Sequence, residues 1–355
     1  MNRISNSIPA AASRKPALDF IRIVFCLMVV CEHYLVPAPP SGAIAVIGFC
    51  VMSGFWIGPL LERKELDVVS FYRGKARRLL PLLGLALLSG FVLAVVFSYH
   101  VRNMAHWNVF SHTDFSILKI MYFYDVPAWY MNCELMFLLL VPFFYALCRA
   151  NILWYAAVLA FLFLTAFALY SHVPEGIPRG GGLYYSPLAR MWQFMAGVLA
   201  YRMIRWKVLA GAFPVLFLVF LVGSAPFLFA FPSKELHYYE DSFPFQVMAA
   251  LFYMALLPSA YFFSFREGNR MFRVEKWLAY GSSLTYGIFL FHVPVLNACY
   301  MGLLYLGVIS REQTRSWAVL LLSFSATIVL VGVLMWLLKK GKRVFGNASS
   351  SPSAG

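Results

Sequence analysis

The stretch RIVFCLMVVCEH, residues 22–33, decides what kind of fold this chain adopts. It places nine apolar or sulfur-bearing residues between an arginine and an acid–histidine pair, inside an apolar run from about residue 17 to 37. A run of that length crosses a bilayer as an α-helix. An arginine near the bilayer interior costs about 2.5–3.5 kcal/mol unless it is partnered or lines a wet cavity. The stretch therefore predicts a membrane span that also carries chemistry.

The composition of the 355 residues extends this prediction to the whole chain. It is 61% hydrophobic and 12% charged, whereas about 25% of a soluble domain is charged. Apolar windows of about 20 residues recur along its length. The net charge of +14 does not indicate nucleic-acid binding, because the basic clusters follow the apolar spans. We expect an all-α integral membrane protein.

The hydropathy pattern predicts ten spans with both termini in the cytoplasm. The tails and loops on the terminal side carry 21 of the 29 lysines and arginines, against 6 on the other side, with Arg22 and Arg190 inside spans. Such an excess of positive charge is typical of the cytoplasmic side. The predicted spans cover about residues 17–37, 43–62, 79–99, 127–148, 152–171, 187–204, 208–231, 245–265, 278–300 and 316–338. The expected organisation is a disordered tail over 1–16, one membrane domain over 17–338, and a basic, then Ser-rich tail over 339–355.

Arg22 and His33 lie on one stripe of the first helix. Eleven residues correspond to about 16 Å of rise and three turns plus roughly 20°. This stripe predicts a polar cavity through much of the membrane. The alternative is that Arg22 snorkels to lipid phosphates and His33 bonds a nearby carbonyl. Glu32 either orients a neighbouring group or faces outer-leaflet water, and we favour water.

The six cysteines lie in or near apolar spans, and neither they nor the outer-loop histidines have metal-ligand spacing. We therefore expect the cysteines to pack in the core, and we expect no metal site.

The chain resembles the acyltransferase-3 family of membrane acyltransferases, which includes O-antigen, exopolysaccharide and Nod-factor acetylases. An arginine, ten residues and a histidine in the first span carry the resemblance. Five further motifs follow in the family's order. They are IGFCVMSGFWIG (47–58), FYRGKARRLLPL (71–82), WYMNCELMF (129–137), SPLARMWQFMAGVLAYR (186–202) and YGSSLTYGIFLFHVPVL (280–296). The chain departs from the family pattern at Lys75, where arginine is usual, and at Leu135 and Met136, where an acid and a glutamine are frequent.

The resemblance implies transfer of an acyl group, most simply acetyl, from cytoplasmic acyl-CoA to a hydroxyl of a cell-envelope or exported polysaccharide. The enzyme would sit in a bacterial inner (cytoplasmic) membrane, in contact with the lipid bilayer. Acyl-CoA would be its donor substrate, with no permanently bound cofactor. Lys75, Arg77 and Arg78 would bind the acyl-CoA phosphates, which clustered cations suit. Arg22 would hold the pantetheine-phosphate arm or orient the thioester.

His33 would act as general base toward the sugar hydroxyl or as an acyl-carrying nucleophile, since imidazole suits both roles. We favour the base. Glu134 would orient the imidazole of His33 or stabilise its cation, bind sugar hydroxyls, or form a structural ion pair with Arg190. Trp129, Ser53 and His292 would support the substrate or the structure. For Ser53 we favour packing beside Gly54, and for His292 both roles stay open.

Two other functions fit a helical membrane protein with buried ionisable groups. A transporter or flippase would line its path with Arg22, His33 and Glu134, but no internal repeat of the transporter kind occurs, and the basic loop suits acyl-CoA better. A scaffold for polysaccharide synthesis would use these groups only structurally.

Overall fold

The computed structural model describes residues 15–33, 42–61, 63–100, 128–172, 186–204, 207, 209–230, 242–263, 269–309 and 317–348. Within these ranges the regular secondary structure is helical throughout. The helices are α1 (Pro16–His33), α2 (Gly42–Leu61), α3 (Val68–His100), α4 (Ala128–Leu139), α5 (Val141–Ala150), α6 (Ile152–Ser171), α7 (Pro187–Met203), α8 (Phe213–Ala230), α9 (Phe243–Phe262), α10 (Asn269–Tyr305) and α11 (Trp317–Ala348).

Each predicted span overlaps a described helix or, for the fourth, a pair of helices, and residues 34–37 of the first predicted span lie outside the described residues. Six described helices are by themselves long and apolar enough to cross a membrane, or seven if a bent pair counts as one span. The structure thus confirms an all-helical membrane protein, while the count of ten and the cytoplasmic termini stay predictions. Of the other described helices, α1 carries Asp19, Arg22 and Glu32, α7 has only 17 residues, and α8 contributes a shorter apolar stretch, Phe213–Gly223.

The fourth predicted span, 127–148, is broken into α4 and α5, which meet at an angle of 45°. Pro142 lies in the first turn of α5. Proline has no backbone N–H and clashes with the carbonyl four residues earlier, so it interrupts a continuous helix. The sequence contained this proline, but the apolar run across it predicted one straight span.

The chain divides into two compact units. Unit 1 comprises Met1–Glu32, Pro37–Leu66 and Asn132–Ser283, and unit 2 comprises His33–Val36, Asp67–Met131 and Leu284–Gly355.

Unit 1 contains a tight contact between α2 and α7. A Cβ added at Gly54 would overlap the carbonyl oxygen of Phe194, and one added at Gly197 would overlap the carbonyl oxygen of Val51. Two backbones this close need residues without side chains on both sides, as is common where membrane helices pack. Ser53, beside Gly54, is half-buried in this region.

Unit 2 brings α3, the second half of α10 and α11 together. The Tyr286 hydroxyl donates to the backbone carbonyl of Leu79 at 3.0 Å, which joins α10 to α3. Gly287, the next residue, lies against the side chain of Val331 on α11. Consecutive residues of α10 therefore face two neighbouring helices.

The α2–α7 contact yields a prediction about stability. Gly197→Ala places a methyl group against the backbone of α2, and overpacking of this kind costs about 1–3 kcal/mol. We expect a clearly lower melting temperature of the purified protein in detergent. Gly223→Ala is the matched control, because nothing lies within 4 Å of a Cβ at that helical glycine. Equal melting temperatures for the two variants would show that the contact is not tight.

Candidate functional site

His33, the last residue of α1, lies against His292 of α10. Their ring centroids are 5.0 Å apart and the rings are inclined at 75°, so the edge of one imidazole faces the other. His33 is half-buried, whereas His292 is fully buried. Both residues belong to unit 2. The structure therefore brings together two histidines that lie 259 positions apart in the sequence.

The imidazole of His292 is held in place by its own helix. Its Nδ1 lies 3.0 Å from the backbone carbonyl oxygen of Ile288, one turn earlier. A carbonyl can only accept a hydrogen bond, so Nδ1 carries the proton and, in the neutral ring, Nε2 carries the lone pair. The ring of Phe289 packs beside it with centroids 6.2 Å apart. These two contacts fix both the tautomer and the plane of the ring.

A row of aromatic rings connects this pair to the start of α4. Phe289 contacts Tyr130 with centroids 5.4 Å apart, and Tyr130 contacts Trp129 at 6.3 Å. Trp129 and Tyr130 are both buried. We call this set the aromatic row: Trp129, Tyr130, Phe289, His292 and His33. It joins residues from three separate sequence motifs within unit 2.

The predicted basic cluster of Lys75, Arg77 and Arg78 lies near the start of α3. Arg77 and Arg78 are exposed, and Lys75 is half-buried with its Nζ 5.7 Å from the centroid of the Phe71 ring. The cluster belongs to unit 2. Leu79, which accepts the hydrogen bond of Tyr286, follows directly after Arg78. The helix that carries the cluster is thus hydrogen-bonded to α10, the helix that carries His292.

Asp67 caps the helix that carries the basic cluster. Its Oδ1 accepts from the backbone N–H of Ser70 at 2.9 Å, and its Oδ2 accepts from the Ser70 hydroxyl at 2.7 Å. These hydrogen bonds, the backbone one first, hold the pKa of Asp67 below its ordinary value. The carboxylate therefore stays charged at neutral pH, where a negative charge stabilises a helix N-terminus.

Arg22 and Glu32 belong to unit 1, and each has an identifiable neighbour there. The guanidinium of half-buried Arg22 lies 5.8 Å from the centroid of the Trp56 ring, within cation–π range. Glu32 accepts a hydrogen bond at Oε2 from the backbone N–H of Ala43 at 3.2 Å. The favoured interpretation that Glu32 simply faces water is therefore wrong, since the residue caps the start of α2. The predicted polar cavity along α1 stays a prediction.

Arg190 is fully buried near the start of α7, and amide side chains solvate it. Its Nη1 donates to Oε1 of Gln193 at 3.4 Å and to Oε1 of Gln246 at 3.2 Å. Nε2 of Gln193 donates to the same Gln246 oxygen at 3.3 Å, and Nε2 of Gln246 donates to the Tyr170 hydroxyl at 2.9 Å. Four polar side chains from α6, α7 and α9 thus form one network in unit 1.

Glu134 is half-buried on α4, in the part of the chain that belongs to unit 1. Arg190 and Glu134 both lie within electrostatic range of the Cys50 thiol in this unit. The roles predicted for Glu134 stay predictions.

The structure reveals partners that the sequence analysis missed. Gln193 and Gln246 solvate Arg190, while Phe289 and Tyr130 connect His292 to Trp129. One signal was available, because Gln193 follows Arg190 by three residues in an apolar helix and therefore shares its face. The contacts between separate helices left no comparable pattern in the sequence.

Comparison with known proteins identifies the family of this chain. The model of the acyltransferase-3 family, described as an acyltransferase domain, matches residues 15–336. This range includes the aromatic row, the basic cluster and the Arg190 network. Neither a curated protein nor a solved structure matches the chain.

The Arg190 network yields a prediction about stability. Gln246→Leu removes an acceptor of a buried guanidinium, and loss of a hydrogen bond to a charged group costs about 1.5–3 kcal/mol. We expect a reduced free energy of unfolding, measured in detergent micelles by urea titration. Gln246→Glu is the matched control, because it keeps an acceptor at the same chain length and should retain more stability. A Gln246→Leu protein as stable as the unmodified one would contradict the importance of the network.

Proposed function

The chain belongs to the acyltransferase-3 family, and we propose that it transfers an acyl group, most simply acetyl, from cytoplasmic acyl-CoA to a hydroxyl of a cell-envelope or exported polysaccharide. The enzyme would work in the inner (cytoplasmic) membrane of a bacterium. The observation that carries the proposal is that unit 2 contains both His33 and the basic cluster on α3, joined through α10.

The distances along the helices suit an acyl-CoA donor. From Lys75 to Leu79 α3 rises about 6 Å, and from Tyr286 to His292 α10 rises about 9 Å. The predicted span order would make α3 and α10 parallel, so the cluster would lie roughly 10–15 Å from the histidine pair along the helix axes. The pantetheine arm of acyl-CoA is long enough to bridge this separation. The phosphates would then bind Lys75, Arg77 and Arg78 while the thioester reaches His33.

The first helix places a cation, Arg22, at a similar distance from His33. Arg22 lies eleven residues before His33 on nearly the same stripe of α1, about 16 Å lower. In the proposed reaction Arg22 holds the pantetheine-phosphate arm or orients the thioester carbonyl. Glu134 binds the acceptor hydroxyls or stabilises the protonated imidazole of His33. Trp129 supports the other rings of the aromatic row.

The chemistry needs one base. As the acceptor hydroxyl oxygen attacks the thioester carbonyl carbon, His33 takes the hydroxyl proton. The new carbon–oxygen bond forms and the carbon–sulfur bond breaks. His33 then gives the proton to the departing thiolate, which leaves as free CoA. A base of this kind contributes about 10²–10⁴-fold to the rate.

The test of this function uses inside-out membrane vesicles supplied with radiolabelled acetyl-CoA. We expect label on glycan, and we expect His33→Ala to reduce the rate of transfer by at least about 10²-fold. His172→Ala is the matched control, because His172 is an exposed histidine at the end of α6. Undiminished transfer by folded His33→Ala protein would contradict the role of His33. Absence of transfer, together with movement of a solute, would favour the transporter.

The same assay separates a base from an acyl carrier. A direct transfer leaves no label on the protein when the acceptor is withheld. Label on unmodified protein that His33→Ala abolishes would instead identify a covalent acyl-histidine intermediate.

A second prediction concerns the basic cluster. Arg77→Gln combined with Arg78→Gln should raise the KM for acetyl-CoA roughly 10-fold or more and leave kcat nearly unchanged. The reason is that the enzyme binds the phosphates equally well in the ground state and in the transition state. S-acetylpantetheine lacks those phosphates, so its KM should hardly change. The matched control is Arg273→Gln with Lys276→Gln, two exposed cations of α10. Equal effects of both double variants on acetyl-CoA would show that the cluster only follows the charge bias of the cytoplasmic side.

A further inference from the structure

Tyr253, near the middle of α9, places a phenol hydroxyl in an apolar part of unit 1. The residue is fully buried, and among the residues that the structure describes none forms a hydrogen bond with this hydroxyl. Its ring neighbours are Phe25, Phe220 and Phe252, with centroids 5.0, 6.3 and 5.8 Å away. A buried hydroxyl without a hydrogen bond is costly, and a phenylalanine would keep the ring without that cost. The tyrosine therefore indicates a further hydrogen-bond partner.

The ring of Tyr253 meets α1 between the two residues that the proposed reaction uses. It packs against the ring of Phe25 at an inclination of 71°. Phe25 follows Arg22 by three residues and precedes His33 by eight, so it lies about 4.5 Å from Arg22 and about 12 Å from His33 along the helix axis. It is also about 60° round the helix from Arg22. Tyr253 thus packs at the edge of the stripe that joins Arg22 to His33.

The acyl-CoA donor carries hydrogen-bond acceptors that suit a phenol. Its pantetheine arm joins the phosphates to the thioester and contains two amide groups, whose carbonyl oxygens accept hydrogen bonds from hydroxyls. We propose that Tyr253 binds the donor, because its phenol O–H donates to an amide carbonyl of the pantetheine arm. This inference rests on the proposed function, in which the arm runs along α1 between Arg22 and His33.

The burial of the Tyr253 hydroxyl means that the arm must displace a neighbouring ring to reach it. Phe25 and Phe220 are buried, whereas Phe252 is half-buried, so Phe252 is the ring that would turn aside. The arm is remote from the bonds that form and break, and its hydrogen bond is therefore equally strong in the ground state and in the transition state. Such a contact lowers the KM for the donor and leaves kcat unchanged.

The first test measures stability without a donor. Tyr253→Phe removes the hydroxyl and keeps the ring, so we expect an unchanged or higher melting temperature of the full-length protein in detergent. Tyr155→Phe is the matched control, because the buried Tyr155 hydroxyl donates to the backbone carbonyl of Met195 and its loss should lower the melting temperature. A similar fall in Tyr253→Phe would show that its hydroxyl already has a partner inside the protein, which would overturn the inference.

The second test measures the KM of two donors. We expect Tyr253→Phe to raise the KM for acetyl-CoA and for S-acetylpantetheine by the same factor, about 3- to 10-fold, which corresponds to one neutral hydrogen bond. Both donors contain the arm, so this pattern differs from that of the Arg77 and Arg78 variants, which should spare S-acetylpantetheine. An unchanged KM for both donors would overturn the inference.

The third test does not depend on acyl transfer. Calorimetry on protein in lipid nanodiscs measures the Kd of free CoA, which we expect to rise about 3- to 10-fold in Tyr253→Phe. If the unmodified protein binds CoA but transfers no acyl group, the proposed function fails, and the change in Kd still decides the role of Tyr253. If acyl transfer occurs and the Kd is unaltered, the function stands and the inference is overturned. Absence of CoA binding would overturn both.

Discussion

Arg190 and His292 are fully buried, each within a largely apolar stretch of its helix. Hydrocarbon offers no hydrogen bonds, so a polar group in such a helix must find its partner inside the protein. Arg190 finds the amide oxygens of Gln193 and Gln246, and His292 finds a backbone carbonyl one turn away. Hydrogen bonds that satisfy buried polar side chains therefore occur in both compact units.

This constraint also shapes the proposed chemistry. A general base needs a ring nitrogen with a lone pair, and a membrane interior penalises charge near it. In the proposed reaction the row of Trp129, Tyr130, Phe289, His292 and His33 suits these conditions, because aromatic rings pack one against the next up to His33. The cations that acyl-CoA would need lie apart, on the opening turns of α3. The aspartate cap at Asp67 steadies the start of that helix.

Much of the fold could be predicted because it depends on local properties. The apolar windows gave the helices, and an eleven-residue spacing was enough to place Arg22 and His33 on one stripe of α1. The break between α4 and α5 also had a local signal in Pro142, although the surrounding apolar run outweighed it. The contacts that build the site had no such signal. Tyr286 and Leu79 are 207 positions apart, and Gln246 is 56 positions from Arg190. Such pairs are set by helix packing, which one sequence does not encode in any short pattern.

The central claim is that this chain esterifies an envelope polysaccharide through His33. The most direct measurement is the amount of base-labile acyl ester on that polysaccharide, taken from cells that lack the protein and from the same cells supplied with the unmodified or the His33→Ala chain. The account predicts that the esters disappear with the protein, return with the unmodified chain and stay absent with His33→Ala. An identical ester content with and without the protein would contradict it.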